Sequence, residues 1–471
     1  MAALRPYWSI HTHSKYSFND ALPSVEAIVE KAYELNYPAI GLTDHGSVSG
    51  SIKLYRAARK FGIEPLPGIE LYVVPDREYA GRRDSMHLTV VAYNETGYRN
   101  LCKLATLSSL KYWYKPLVDM AEIAKMAHDG ATEGLAVSTG CFFGVLPQVL
   151  MNRGPRAAKH VVETLAGWFP RVYVEMQNHG IDQKTIDGRD ISDDELIAAV
   201  YDIGMETGLP MVVARDSHYV NKEDRRLHDT LKRLVSFSDD VDNATYPGGG
   251  YYMTDEAGMR EFFEPKYLAA GIEGLSDLAN RACVRLPELE NFTLKVPDVI
   301  HGADPVEVFE RKVMDALHAS KHAKDKRFLS QIHKEFDVIH AGEMDPYLLL
   351  VDMVCQFMRD KGISYHARGS AAGSVCNYLL GITQVDPIRF GLRFDRFLSS
   401  NRMKPPDVDL DVEHTRRDEV VAYLTSKWSV RSVGSHMKYT LYEDEDNEDS
   451  KGSLRVRFYS TMKKKGLPIK T

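Results

Sequence analysis

At 471 residues the chain exceeds what one hydrophobic core usually supports, so two or three domains are expected. Its composition, 44% apolar and 27% charged, is that of a globular protein, and the absence of any run of eighteen apolar residues argues against a membrane span. The formal net charge of −7 speaks against a uniformly basic, phosphate-binding surface, although EDEDNED at 443–449 supplies much of the acid in one run and KKK at 463–465 follows it. Both runs read as polar surface segments. The five cysteines, at 102, 141, 283, 355 and 376, form no CxxC pair, which excludes a disulfide framework or a Cys-rich zinc finger. MAALRPYW lacks the basic-then-apolar plan of a signal peptide, so a cytoplasmic location is expected.

Through the first 220 residues, short apolar strands alternate with helical stretches. The strand candidates are YWSIHTH, PAIGLTDH, PLPGIELYVV, HLTVVAY, GLAVSTGC, RVYVEMQN and PMVVARDSH. VEAIVEKAYEL and IKLYRAARKFG, between early strands, carry apolar residues at helical spacing, and the second is closed by a glycine. Seven strands separated by helices predict a parallel α/β barrel or open sheet. From YPGGGYYMTDEAGMREFF at 246–263 the pattern turns helical, and 290–309 reads as an interdomain connection. A second α/β region follows, with strand GISYHA, a Gly/Ser loop, helix VCNYLL and an Asp-rich strand.

Groups able to bind metal cluster at the ends of the early strands. His11 and His13 are two apart and share a strand face, as do Asp216 and His218. Asp20 sits in the loop after the first strand, His45 ends PAIGLTDH, Glu70 falls in PLPGIE, His87 opens HLTVVAY and Cys141 ends GLAVSTGC. In a parallel α/β barrel the loops after the strands converge on one mouth. Nine such groups exceed the four ligands of one zinc, so a centre of two or three metals fits better. A lone strand-end histidine is more often structural, and it is the HxH and DxH pairs that shift the balance. His160, His179, His228, His301 and His340 lie outside the set and read as structural or surface residues.

The stretches HTHSKYSFND, GLTDHGSVSG, PGIELYV, HLTVVAYN, STGCFFGV and VARDSHYV resemble the motifs of the polymerase and histidinol phosphatase (PHP) domain, as it opens bacterial replicative DNA polymerases of the C family. The resemblance implies a seven-stranded parallel (β/α) barrel with all nine family ligand positions filled, by His11, His13, Asp20, His45, Glu70, His87, Cys141, Asp216 and His218. It further implies two or three divalent metals, zinc foremost with manganese or iron as alternatives, and a working metallophosphoesterase. In this setting that activity is a 3′ to 5′ exonuclease removing misincorporated nucleotides. Clustered divalent metals suit the task because they lower the pKa of water and stabilise charge on the attacked phosphate and the leaving oxygen.

ISYHARGSAAGSVCNYLLGIT at 363–383 places a Gly/Ser loop between strand and helix, which would let backbone N–H groups approach a phosphate at the positive helix end. In PPDVDLDV the prolines can start a strand but not continue its ladder, so the strand begins near Asp407. Period two puts Asp407, Asp409 and Asp411 on one face and Val408, Leu410 and Val412 on the other. Carboxylates so close repel unless cations sit between them. A helix is expected over TRRDEVVAYL, with Thr415 as cap and Asp418 three residues on.

Together, ARGSAAGSVCNYLLGITQVDPIRFGLRFDRFLSSNRMKPPDVDLDV resembles the first half of the C-family polymerase palm, with Ala367 where the family usually has glycine. The resemblance implies that Arg368, Gly369 and Ser370 hold the triphosphate of the incoming nucleotide. It implies that Asp407 and Asp409 bind two Mg²⁺ for in-line attack of a primer 3′-hydroxyl on the α-phosphate, with Asp411 supporting. The implied domains are a PHP domain over 1–270, a first segment of a mixed α/β palm over 271–430 and the start of a helical thumb over 431–471. The implied partners are primer-template DNA, deoxynucleoside triphosphates, the remainder of the polymerase with its fingers and clamp-binding region, and a sliding clamp. Past residue 430 the sequence matches the usual bacterial members poorly, and primer extension by these 471 residues alone is not expected. Two other readings stand beside this one: a free-standing phosphoesterase acting on small phosphate esters, and a non-enzymatic piece in which metals serve the fold.

Overall fold

The computed structural model describes residues 6–76, 85–110, 115–181, 184–186, 189–235, 245–286, 296–399 and 406–428. The chain divides into two compact units, whose described residues lie within Met1–Pro287 and Glu288–Thr440. The runs at 443–449 and 463–465, and the thumb expected over 431–471, fall outside the described residues.

In the first unit, α1 (Val25–Glu34) starts behind Ser24, whose hydroxyl accepts the Ala27 amide, and it buries Val25, Ile28, Val29 and Ala32 at helical spacing. There follow β1 (Ala39–Leu42), α2 (Ser51–Phe61), β2 (Glu64–Val74), β3 (Met86–Ala92), α3 (Glu95–Leu110) and β4 (Leu117–Asp119). Asp119 and Glu122 then form a capping box that opens α4 (Met120–His128). Next come β5 (Leu135–Ser138), α5 (Val145–Arg153), α6 (Pro155–Trp168), β6 (Arg171–Gln177) and the hairpin of β7 (Lys184–Ile186) with β8 (Arg189–Ile191). A second capping box, Ser192 with Glu195, opens α7 (Asp193–Thr207). The unit closes with β9 (Met211–Ala214), α8 (Arg225–Val235), α9 (Glu256–Met259) and α10 (Pro265–Arg281).

The sheet is mixed and open, where a closed parallel barrel was expected. Its order is β1-β2-β3-β5-β6-β9, with β4 beside β2. β3 runs antiparallel to both β2 and β5, while the other pairs are parallel. The physical reason is in the β2–β3 link: PDREYAGRRDS has no apolar helical repeat, so it cannot supply the crossover a parallel return needs. Six of the seven expected strands form. The first, YWSIHTH, is not a ladder strand but spans the gap between the two sheet edges. It offers the Ser9 carbonyl to Gly41 and the Thr12 carbonyl to Thr43 on one side, and exchanges His13 N–H and His11 carbonyl with Ser217 on the other. A Cβ on Gly41 would lie 2.1 Å from the Ile10 carbonyl oxygen, so only glycine allows this approach.

Alternate strand residues face outward into one apolar cluster. Ile40, Leu42, Ile69, Leu71, Leu88, Val90, Val137, Val172, Val174 and Val213 pack there with Ile28, Leu54, Leu101, Leu146, Val162, Leu165, Leu196 and Leu275 from the helices. The opposite, concave face is mixed: Leu66, Val91, Ala136 and Val212 lie there beside Glu70, Thr89, Ser138, Glu175 and Gln177, and the polar set positions the site.

The second unit is helical, with one two-stranded ladder in place of the expected mixed palm sheet among the described residues. It comprises α11 (Pro305–Ala319), α12 (Lys326–Ala341), α13 (Asp345–Asp360), β10 (Tyr365–Arg368), α14 (Val375–Leu379), β11 (Asp409–Val412) and α15 (Arg417–Lys427). Phe309, Val313, Phe328, Ile332, Leu348, Cys355 and Val375 share its core. The connection expected over 290–309 is already helical from Pro305. Thr415 does not cap α15, which starts at Arg417 after a turn of 3₁₀ helix over His414–Arg416; its hydroxyl donates to Glu413 instead. No helix among the described residues is long and apolar enough to cross a membrane.

Candidate metal centre

Strand register collects the candidate ligands on the concave face. Residues paired across a ladder share a face, and in a strand so do residues two apart. Glu70 pairs with Thr89 and Tyr72 with His87 between β2 and β3, and an isolated bridge pairs His45 with Glu70. Thr89 pairs with Ser138, Ser138 with Tyr173, and Gln177 with Ala214. Two residues on from Ala214 come Asp216 and then His218, and the Thr12–Ser217 bridge brings His11 and His13 alongside them. Asp216 has φ +46°, a left-handed turn at the strand end that Asp tolerates better than most side chains.

The nine side chains form one continuous network. The Glu70 carboxylate lies 2.7 Å from His45 Nδ1, 2.9 Å from His87 Nδ1, 3.4 Å from His11 Nε2 and 3.6 Å from His13 Nε2. Asp216 Oδ1 is 3.0 Å from His13 Nε2, 3.4 Å from His11 Nε2 and 3.5 Å from His218 Nδ1. Asp20 Oδ2 is 2.7 Å from His45 Nε2 and 3.6 Å from His218 Nε2. Cys141 Sγ, buried, sits 3.3 Å from His87 Nδ1 and 3.5 Å from Glu70 Oε1.

The orientation of three histidines is fixed from behind. His13 Nδ1 meets Ser17 Oγ at 2.9 Å, and Ser17 in turn donates to the buried Asp44, which also holds Ser14 N and Oγ. His218 Nδ1 donates to the Asp216 carbonyl at 2.8 Å. His11 Nδ1 meets Glu175 Oε1 at 2.8 Å. Each ring therefore turns its Nε2 inward. His11 Nε2, His13 Nε2, His218 Nε2, His45 Nδ1, Glu70 Oε2 and Asp216 Oδ1 are buried without a hydrogen bond of good geometry. Six buried ligand atoms crowded together, in ion-pair range of one another but poorly aligned for hydrogen bonds, are the arrangement a cation would take up, so these residues fit a metal centre. Ligand-spaced groups arise in three overlapping sets, His13/His45/His218, His11/His13/Glu70 and His45/Glu70/His87, which suits more than one ion.

The charges divide as burial and neighbours dictate. Burial opposes protonation of His11, but Glu175, Asp216 and Glu70 outweigh it and hold its pKa well above the usual histidine range. Burial favours a neutral Glu70, yet His87, His45 and His11 hold it well below the usual carboxylate range. His13 goes the other way, lowered to about 3 by burial and by the neighbouring His45 and His218. Burial pushes the Cys141 thiol up, and Glu70 and Asp216 push it further, so only a bound cation would leave it a thiolate. Two lysines stand at the rim. Lys232 reaches Asp20 Oδ1 at 2.7 Å over the Tyr246 ring, and Lys115 lies 4.0 Å above Tyr72, which stacks on His45.

In the second unit the two motifs meet in one antiparallel ladder. Tyr365 pairs with Val412, His366 with Asp411, Ala367 with Leu410 and Arg368 with Asp409. Asp407, Asp409 and Asp411 are exposed and alternate with half-buried Val408, Leu410 and Val412, although the strand proper starts at Asp409. Arg368 Nε lies 3.1 Å from Asp411 Oδ1. Gly369, at φ +79°, turns the chain out of β10, and Gly369 and Ser370 are exposed. The positive end of α14 is not open to a phosphate, as the sequence had suggested. Buried Glu335 from α12 already accepts from Val375 N at 2.9 Å, Cys376 N at 3.0 Å and Ser374 Oγ at 2.8 Å.

Residues 9–179 match the PHP domain family, and residues 307–451 match the family described as the bacterial DNA polymerase III alpha NTPase domain. The chain carries a PHP domain followed by a DNA polymerase III alpha NTPase-domain segment. DNA polymerase III subunit alpha of Borreliella burgdorferi is 31% identical over 90% of this chain and 36% of its own length. The same subunit of Saccharopolyspora erythraea is 30% identical over 90% and 37%. An error-prone DNA polymerase of Symbiobacterium thermophilum is 29% identical over 92% and 39%. The chain thus spans somewhat over a third of the length of these relatives.

Several residues around the PHP cluster escaped the sequence reading. Glu175 is one, and the signal was there: RVYVEMQ is a buried strand with a lone acid in its middle, which must find a partner. His228 and His179, set aside as structural, both border the PHP cluster. His228 Nε2 donates to the Asp20 carbonyl at 2.8 Å, and His179 stacks on Tyr251 with its Nε2 3.0 Å from Gln177.

Proposed function

We propose that the PHP domain is a metal-dependent phosphodiesterase acting as a 3′ to 5′ exonuclease, within the N-terminal portion of a DNA polymerase III alpha-like replicative polymerase. The observation that carries this is the set of six buried imidazole and carboxylate atoms turned toward one another at close range without well-aligned hydrogen bonds. His11, His13, Asp20, His45, Glu70, His87, Cys141, Asp216 and His218 would hold two or three divalent cations, and a set rich in imidazole with one thiol favours zinc over magnesium, with manganese or iron as alternatives. Such cations, when bound, supply Lewis acidity to the scissile phosphate and to water. The chain's own groups do the rest. The Nδ1 contacts of His11, His13 and His218 keep their rings aimed, and Lys232 and Lys115 place positive charge where an anionic phosphodiester arrives.

In the NTPase-domain segment, Asp407 and Asp409 would hold two Mg²⁺, while Arg368, Gly369 and Ser370 receive the triphosphate of a deoxynucleotide. The pairing of Arg368 with Asp411 supports a role for Asp411 in aiming that guanidinium. Primer-template DNA, the remaining polymerase regions and a sliding clamp are the partners this reading requires.

The test is digestion of a 3′-mismatched primer by the purified chain under defined zinc, manganese, iron or magnesium, beside a sugar phosphate and an amino-alcohol phosphate. The reading expects shortening of the primer alone, lost in Asp216→Ala. Turnover of the small esters with the primer untouched would favour a free-standing phosphoesterase. Full metal occupancy with no activity on any substrate would favour cations that serve the fold.

A further inference from the structure

Glu175 lies one residue behind the ligand layer, in the middle of β6, and is 1% exposed. Every polar neighbour of its carboxylate is a donor. Ser138 Oγ donates to Oε2 at 2.5 Å, Gln177 Nε2 donates to Oε1 at 2.6 Å, and His11 Nδ1 meets Oε1 at 2.8 Å. Gln177 is itself held, since its Oε1 faces His179 Nε2 at 3.0 Å. That is an arrangement a carboxylate satisfies and a neutral acid does not. Because Glu175 only accepts, the proton on His11 must sit on Nδ1. The other nitrogen, Nε2, faces Glu70 Oε1 and Asp216 Oδ1 at 3.4 Å each, and is the atom that would bind a cation in place of a second proton.

We infer that Glu175 is a positioning residue of the metal centre: it fixes the tautomer and the plane of His11, and strengthens His11 Nε2 as a donor to a divalent cation. This rests on the metal-centre reading above. Among the three histidines anchored through Nδ1, His11 is the only one anchored by a carboxylate, since His13 leans on a serine hydroxyl and His218 on a backbone carbonyl. A buried acid hydrogen-bonded to a ligand imidazole raises the ligand's basicity, and removing such a partner typically weakens metal binding by about 10–100-fold.

The experiment measures zinc affinity by chelator competition in the full chain, for wild type, Glu175→Gln, Glu175→Leu and His11→Ala. The visible absorption of the cobalt-loaded forms and the melting temperature of the zinc-free forms are recorded beside it. Gln keeps an acceptor opposite His11 but loses the charge, whereas Leu loses both. The expected order of affinity is therefore wild type, then Gln about tenfold weaker, then Leu about a hundredfold weaker. The cobalt bands should change in both variants, with the zinc-free melting temperature of Glu175→Gln close to wild type. Unchanged zinc affinity and cobalt spectrum in both Glu175 variants, with His11→Ala impaired, would overturn the role of Glu175 alone. Unchanged zinc binding in His11→Ala would instead remove the metal-centre reading, and this inference with it. Should Glu175→Leu not fold, the near-isosteric Gln variant still decides.

Discussion

Glu70 Oε2 lies 2.7 Å from His45 Nδ1, and through its other oxygen the same carboxylate reaches His87 at 2.9 Å. One acid thus joins a histidine that follows β1 to one carried by β3. Glu70→Gln keeps the volume but replaces one oxygen with a donor that faces imidazole lone pairs. Elemental analysis of the purified variant should find at least one fewer divalent cation per chain, with an unchanged far-ultraviolet circular dichroism spectrum. Wild-type metal content in Glu70→Gln would count against a bridging role.

Chelation should separate the two units. A cation held at a hundred times its dissociation constant adds about 2.7 kcal/mol to the fold that binds it. For a unit of this size that corresponds to a fall of roughly 5–10 °C in melting temperature on removing the metal. His13→Ala should melt at the same temperature with and without chelator. A wild-type chain indifferent to chelation would contradict the prediction.

Lys232 offers a charge-assisted contact to an incoming phosphate, a class of bond worth about 1.5–3 kcal/mol. Lys232→Gln should therefore raise KM for a primer end by roughly 10- to 100-fold while changing kcat less. The defect should shrink as salt is raised, because part of the attraction is long-range. A variant with wild-type KM at low salt would show that Lys232 serves only Asp20.

Glu335 gives the second unit a pH signature. Burial raises its carboxyl pKa above the ordinary value, despite the opposing bonds from Cys376 N, Val375 N and Ser374. A carboxyl raised in the folded chain contributes stability that is complete below its unfolded pKa and is lost as pH rises through the folded one. Glu335→Gln cannot titrate. Hydrogen exchange of the amides at 374–380, followed upward from about pH 4, should show wild-type protection declining relative to the Gln variant. A constant difference, or one of opposite slope, would refute the assignment. Glu335→Ala should unfold this region more readily by about 1–3 kcal/mol, since it strands two buried amides and a hydroxyl.

The ligands were legible because most stand at or near strand ends, and because His11/His13 and Asp216/His218 repeat at the period of a strand. The groups behind them were not. Glu175 and Asp44 act through pairings across 164 and 27 residues that no local spacing announces, and Ser17, four residues from His13, matters only through Asp44 behind it. Strand direction was also hidden. An apolar run reads the same in either sense, and only the helix-poor link before β3 hints that it returns antiparallel. In the second unit the alternation of Asp407, Asp409 and Asp411 was plain, but nothing near α14 reveals that a carboxylate 40 residues away already occupies its amide end.

The segment Tyr7–His13 is tied to the two sheet edges by a few single hydrogen bonds, and it carries His11 and His13 between Thr43 on one side and Ser217 on the other. Any ion gripped there from both flanks also rivets the seam of an otherwise unclosed hoop. Opening that seam and releasing the ion become a single event, so a substitution as remote from chemistry as Gly41→Ala should loosen the metal and the architecture together.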